Sequence, residues 1–186
     1  MATGGRAPTV KSRPVNKVED QATFASAVRG AKPKDSPEVA RLAAMTFETI
    51  GVTGDQDQWL DAVANAIRDG IGVTSTVLVI DDPVRPGRLA AIGAGVIDTR
   101  LPAPGVAIRP SGYIQWMSTD PSQRRQGHAT RILEALLSWF TAQDVKKVEL
   151  KATAAGEPIY RSAGFTEGSY LTLQWQSPTG ASKLPT

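Results

Sequence analysis

The chain has 186 residues, 41% of them apolar, with 21 basic and 18 acidic side chains and a net charge of +3. That length suits one domain with loose ends, and no apolar run nears the ~20 residues a membrane helix needs, so no membrane partner is expected. Cysteine is absent and His128 is the sole histidine, which excludes disulfides, a thiol nucleophile, cysteine-ligated zinc and any multi-histidine metal site.

Arg6, Lys11, Arg13 and Lys17 carry part of the positive excess in a segment rich in glycine, proline and small polar residues. Residues 1–21 therefore read as a disordered basic leader, a solubilising tail in preference to a nucleic-acid arm. The start of the chain lacks the apolar core of a secretory signal, so a cytoplasmic location is the expectation. Residues 177–186 read as a flexible tail, leaving 22–176 as a single folded domain.

A weak first strand is expected over 23–28. Ser36 reads as an N-cap, Pro37 as the first helical residue and Glu38 as an early-turn acid. Val39, Leu42, Ala43, Thr46, Phe47 and Ile50 form one helical face that ends at Gly51. A second helix over 57–69 points Leu60, Val63, Ala64 and Ile67 inward and stops at Gly70. The β-branched run 74–80 reads as a buried strand, the turn-rich 81–87 as a hairpin link and 89–97 as its return. Gly93 and Gly95 weaken that return strand and mark a bulge or a close ligand approach. A proline-rich loop over 101–110 leads to a strand over 113–119.

Beyond that strand comes Thr119-Asp120-Pro121-Ser122-Gln123-Arg124-Arg125-Gln126-Gly127-His128-Ala129, a basic glycine loop that runs into a helix. Ala129, Ile132, Leu133, Leu136, Leu137 and Phe140 make one apolar face of that helix. Its first amides lack internal partners and carry partial positive charge, so the loop suits a phosphate or pyrophosphate. Gly127 lets such a ligand meet the backbone. Val148 and Leu150 alternate with charged neighbours as in a half-buried strand. Pro158 opens a short helix that Gly164 stops. A last strand is expected over 171–175.

Arg124-Arg125-Gln126-Gly127-His128-Ala129 resembles the Q/R-x-x-G-x-G/A signature of the GNAT superfamily of acetyl-CoA-dependent N-acetyltransferases, with Pro121 where many members carry a proline. Downstream, Tyr160-Arg161-Ser162-Ala163-Gly164-Phe165 resembles the family's terminal Tyr-x-x-x-Gly-Phe element. The specific residues lie within 113–165, and the element order resembles the family over about 31–176. The resemblance implies an α/β fold: a mixed, mostly antiparallel twisted sheet flanked by about four helices, with splayed parallel strands at the cofactor site. On this reading 22–176 is one acyl-CoA N-acyltransferase domain.

The resemblance also assigns roles. The backbone of Met117 and Thr119 is expected to pair with the pantetheine arm of acetyl-CoA, much as an added strand would; the plain alternative is two ordinary sheet residues. Arg124, Arg125, Gln126, Gly127, His128, Ala129 and Thr130 are expected to hold the phosphates, chiefly through backbone amides. The Thr130 hydroxyl adds to these, and His128 contributes backbone and no catalytic base. Tyr160 is expected to give a proton or hydrogen bond to the departing thiolate, the alternative being a tyrosine packed on the sheet.

The general base stays open among Glu149, Asp120, Glu48 and a water chain. Phe47, Trp59, Asp55, Asp57 and Asp61 are candidates to line the acceptor pocket. The expected activity is transfer of an acetyl group to a primary amine by direct attack in a ternary complex, with the acceptor unassigned and a homodimer left open. The alternative is a catalytically silent acyl-CoA-binding module.

Overall fold

The computed structural model describes residues 27–49, 51, 56–70, 74–99, 110–169 and 171–175. Among these residues five strands form one sheet in the order β1 (Val28–Gly30), β2 (Ser75–Asp81), β3 (Leu89–Thr99), β4 (Pro110–Thr119), β5 (Lys147–Leu150). Neighbours from β1 to β4 are antiparallel, and β4 pairs β5 in parallel. A parallel neighbour needs a crossover, here supplied by α3 (His128–Ala142). The other helices are α1 (Ser36–Thr49), α2 (Gln56–Gly70) and the short α4 (Glu157–Ser162). This is the α/β architecture expected from the sequence, with a mixed sheet and four α-helices among the described residues.

One face of the sheet is covered by α1 and α2. Val39, Leu42, Ala43, Val63 and Ile67 pack there on Val79, Leu89 and Ile92. The other face carries α3, whose Ile132, Leu133, Leu136 and Phe140 meet Ile80, Ala90, Ala91 and Ile114. The 3.6-residue stripes of the helices thus find the two faces of a period-2 sheet. α3 sits unusually close, because Gly93, Gly95 and Gly112 present no side chain beneath Ile132, Leu136 and Phe140. The register of β3 on β4 shifts between Ala94 and Gly95. The bulge reading of the β3 glycines holds, but the close neighbour is the helix α3 and not the expected ligand.

Several expectations shift. The first strand is 28–30, and residues 23–26 of its expected span lie outside the described residues, as do 1–21, 177–186, Ile50 and 101–109. Ser36 is not an N-cap. A 3-10 turn (Pro33–Asp35) runs straight into α1, and the Ser36 hydroxyl donates to the Pro33 carbonyl at 2.6 Å. The Asp35 carboxylate takes the exposed-end amide instead, accepting from Lys32 N at 2.8 Å. Pro37 still falls in the first turn, where its missing N–H costs nothing. The expected strand over 171–175 is not formed: these residues belong to no strand and have no ladder partner among the described residues, with Leu171 and Leu173 exposed. Alternation sets a strand's period but does not supply an edge to pair with.

Candidate active site

The splay between β4 and β5 makes the site. Their ladder runs from Ser111–Lys147 to Ile114–Leu150 and stops, while β4 continues to Thr119 paired on its other side with β3. The β5-facing edge of residues 115–119 therefore opens into a cleft of about 660 Å³. At one end the cleft meets Arg124, Arg125, Gly127 and the first residues of α3. Along its sides lie Met45, Thr46 and Trp116, and opposite them Lys151, Thr153, Ile159 and Tyr160.

The loop backbone has the shape an anion needs. Arg125 and Gly127 both adopt left-handed φ, +61° and +77°. Gly127 is the N-cap of α3, and its carbonyl accepts the first helical bond, from Arg131 N at 3.1 Å. The amides of His128, Ala129 and Thr130 thus lack a carbonyl one turn back. Alternating left-handed residues and a helix N-terminus together turn N–H groups toward one concavity. A Cβ built on Gly127 would meet nothing within 4 Å, so the space before it is open.

Of the residues singled out in the sequence, Met117, Thr119, Arg124, Arg125, Gly127, His128, Ala129, Thr130 and Tyr160 all line this one cleft. Their side chains differ in what they are free to do. Arg124 Nε donates to the Thr119 carbonyl at 3.4 Å. Gln126 does not line the cleft, and its Nε2 donates to Gln123 Oε1 at 3.1 Å. His128 is 5% exposed, and neither ring nitrogen has a hydrogen-bond partner. Burial pushes its pKa down and Arg131 adds to that, with Asp82 opposing. The ring is held neutral by burial first. Tyr160 packs edge-on against Phe165, ring centroids 5.9 Å apart, and burial raises its pKa, so the phenol keeps its proton at neutral pH.

The acids offered as general bases fall elsewhere. None of Asp120, Glu149 and Glu48 lines the cleft. Asp120 is buried beneath the loop. Burial alone would raise its pKa, but hydrogen bonds from the Ser122 hydroxyl and amide and the Arg85 guanidinium outweigh it and hold the carboxyl at about 2. Glu149 pairs with Lys147 at 2.7 Å, and Glu48 is exposed on α1. Of the proposed acceptor residues, Phe47 and Trp59 form an edge-to-face trio with Trp116, which joins α1, α2 and β4. Asp55 and the side chain of Asp57 lie outside the described residues, and Asp61 is exposed on α2. Sequence reasoning passed over Met45, Thr46, Lys151 and Thr153, which only the tertiary fold brings to the cleft. It also passed over Asp82, whose place before Pro83 marked it as a turn former.

Residues 96–171 match the family model of the acetyltransferase (GNAT) domain. No curated protein sequence matches significantly. Among solved structures, a predicted acetyltransferase with acetyl-CoA from Clostridium acetobutylicum superposes with a TM-score of 0.65 at 20% identity, over 79% of this chain and 94% of that one. Glucosamine-6-phosphate N-acetyltransferase from Arabidopsis thaliana gives 0.65 at 20% identity, over 81% and 97%. A GCN5-related N-acetyltransferase from Ralstonia eutropha gives 0.64 at 21% identity, over 80% and 97%. At these identities the likeness is one of fold, and it agrees with the domain match and with the splayed strands that open onto the loop. The chain is thus similar to the GNAT acetyltransferases, in sequence over residues 96–171 and in fold over most of its length.

Proposed function

We propose that this protein is an N-acetyltransferase that moves the acetyl group of acetyl-CoA to a primary amine by direct attack in a ternary complex. The observation that carries the reading is the open edge of β4 over residues 115–119, which ends on the free amides of α3. One end of the gap offers backbone pairing for an amide-bearing arm, and the other offers N–H groups and two arginines for phosphates. The family match and the acetyl-CoA named with the Clostridium structure agree with that division.

In this scheme the backbone of Met117 and Thr119 aligns the pantetheine arm. The loop amides of residues 125–130 hold the pyrophosphate, with Arg124 and Arg125 adding charge from the rim. The unprotonated amine attacks the thioester carbonyl, the carbon–sulfur bond breaks, and Tyr160 donates its proton or a hydrogen bond to the leaving sulfur. The ammonium proton leaves through water, since no carboxylate is among the described residues of the cleft. Absence of cysteine from the chain excludes a cysteine-borne acyl-enzyme. On the acceptor side, Met45, Thr46 and Trp116 support an amine with an apolar body next to the reacting nitrogen.

A second reading, a catalytically silent acyl-CoA sensor, is favoured by that same lack of a carboxylate. Thiol release from acetyl-CoA, followed over a panel of alkyl, arylalkyl and polycationic amines, tests the first reading. Turnover on any of them supports it. Thermal stabilisation by acetyl-CoA without turnover on any acceptor favours the sensor, and stabilisation by neither acetyl-CoA nor CoA counts against both.

A further inference from the structure

We propose that the β2–β3 turn is a strut for the phosphate loop, with Arg85 as a positioning residue for the acyl donor. The inference rests on the reading of residues 124–130 as the donor's pyrophosphate cradle. Asp82 is the hub. Its Oδ1 accepts the amides of Val84 and Arg85 at 2.9 and 3.0 Å, which builds the turn. Its Oδ2 accepts Arg85 Nε at 2.7 Å and Gln123 Nε2 at 3.2 Å, which ties the turn to the loop. Gln123 passes the tie on, because its Oε1 accepts Gln126 Nε2 at 3.1 Å.

A second line runs beside the first. Arg85 donates to the Ser122 hydroxyl at 2.8 Å and lies 3.3 Å from Asp120 Oδ1. Asp120 in turn accepts the Ser122 amide at 3.0 Å and its hydroxyl at 2.7 Å. Asp82, Asp120 and Gln123 are all at least nine-tenths buried. Charge-assisted bonds in such surroundings hold geometry tightly.

What they hold is a backbone under strain. Arg125 bears a side chain at φ +61°, a conformation that persists only where its surroundings fix it. The two lines end on residues 120, 122, 123 and 126, on either side of that strained residue. They bond the loop through side chains and the Ser122 amide, and none of them uses an amide of residues 125–130. The chemistry-bearing loop is thus shaped by a turn 37 residues away in sequence from its Ser122.

Arg85→Ala removes the line of the strut that runs to Ser122 and Asp120 without stranding a charge. Asp82 keeps two amides and Gln123, and Asp120 keeps Ser122 and Arg41, the latter at 3.1 Å. The test reads CoA affinity by calorimetry and amide hydrogen exchange of the apo protein by mass spectrometry. In Arg85→Ala the Kd for CoA should rise about tenfold, and exchange should quicken across 121–130 while β3 and the core of α3 stay unchanged. Arg85→Lys should recover part of both effects. A folded Arg85→Ala protein with a CoA Kd within twofold of wild type overturns the proposal, as does unaltered loop exchange or exchange that quickens evenly throughout. Should wild type itself fail to bind CoA, the donor reading falls, and the strut is then judged on loop exchange alone.

Discussion

Gly112 on β4 lies directly under the ring of Phe140 on α3, so close that a Cβ there would stand 2.7 Å from Phe140 Cε1 and 2.8 Å from Cδ1. Gly95 on β3 faces the same ring, with a built Cβ 2.8 Å from Cζ. A trough of two glycines on neighbouring strands thus seats the C-terminal end of α3. This fixes the axis of the helix whose other end faces the cleft. Phe140 is 1% exposed and cannot swing away. Gly112→Ala should therefore destabilise the fold by about 1–3 kcal/mol, the usual range for overpacking. Urea unfolding measures it, with unchanged stability contradicting the packing.

Tyr160→Phe keeps the ring on Phe165 and deletes the one phenol assigned to the leaving sulfur. General-acid assistance is commonly worth ~10²–10⁴-fold, so kcat should fall by about a hundredfold or more while the Kd for acetyl-CoA stays put. The loss should shrink with a donor whose thiol is a better leaving group. Steady-state kinetics on an accepted amine, with calorimetry for Kd, separates the two quantities. Wild-type turnover in the folded variant removes Tyr160 from the mechanism.

His128 predicts a dependence on pH. Burial lowers its folded pKa below the ordinary 6.5, so the folded state resists a proton that the unfolded chain accepts. This contribution is neutral above pH 6.5, and stability falls as the pH drops below that value toward the folded pKa. His128→Leu should abolish the slope. It should also raise stability at pH 7 by about 1–3 kcal/mol, since two unpartnered buried nitrogens disappear. Urea unfolding at pH 5 to 8 checks both statements, and a variant less stable than wild type at pH 7 contradicts the second.

Asp120 acts in a lower window. Its folded carboxyl titrates at about 2, below the usual carboxylate range, so the stability it lends is complete above about pH 4 and is lost as the pH falls through 2. Asp120→Asn should flatten acid unfolding in that window. An acid transition identical to wild type would place the buried charge elsewhere.

The loop, α3, and the Tyr160 element were legible in the sequence because each depends on local rules: a helix period, a glycine at left-handed φ, a proline in a first turn. The run 171–175 misled because alternation speaks only to one strand, while a ladder needs two. Ser36 misled in a similar way, since a preceding 3-10 turn satisfied the helix start before the serine was reached. The tie from Arg85 to Ser122 and Asp120 was out of reach for another reason. No local pattern links a hairpin turn to a loop that only the sheet brings beside it. The cleft wall of Met45 and Trp116 is non-local in the same sense.

The most direct test of the central claim is a calorimetric titration of CoA into wild type, Gly127→Val and Arg125→Ala. Gly127 stands at φ +77° before open space, so a branched side chain both strains the loop and fills the room where a pyrophosphate would meet backbone amides. Arg125 is an exposed charge, typically worth ~1 kcal/mol or less. The account predicts single-site binding to wild type, loss of a fewfold at most in Arg125→Ala, and a far larger loss in Gly127→Val. No binding to wild type, or equally small changes in both folded variants, would contradict it.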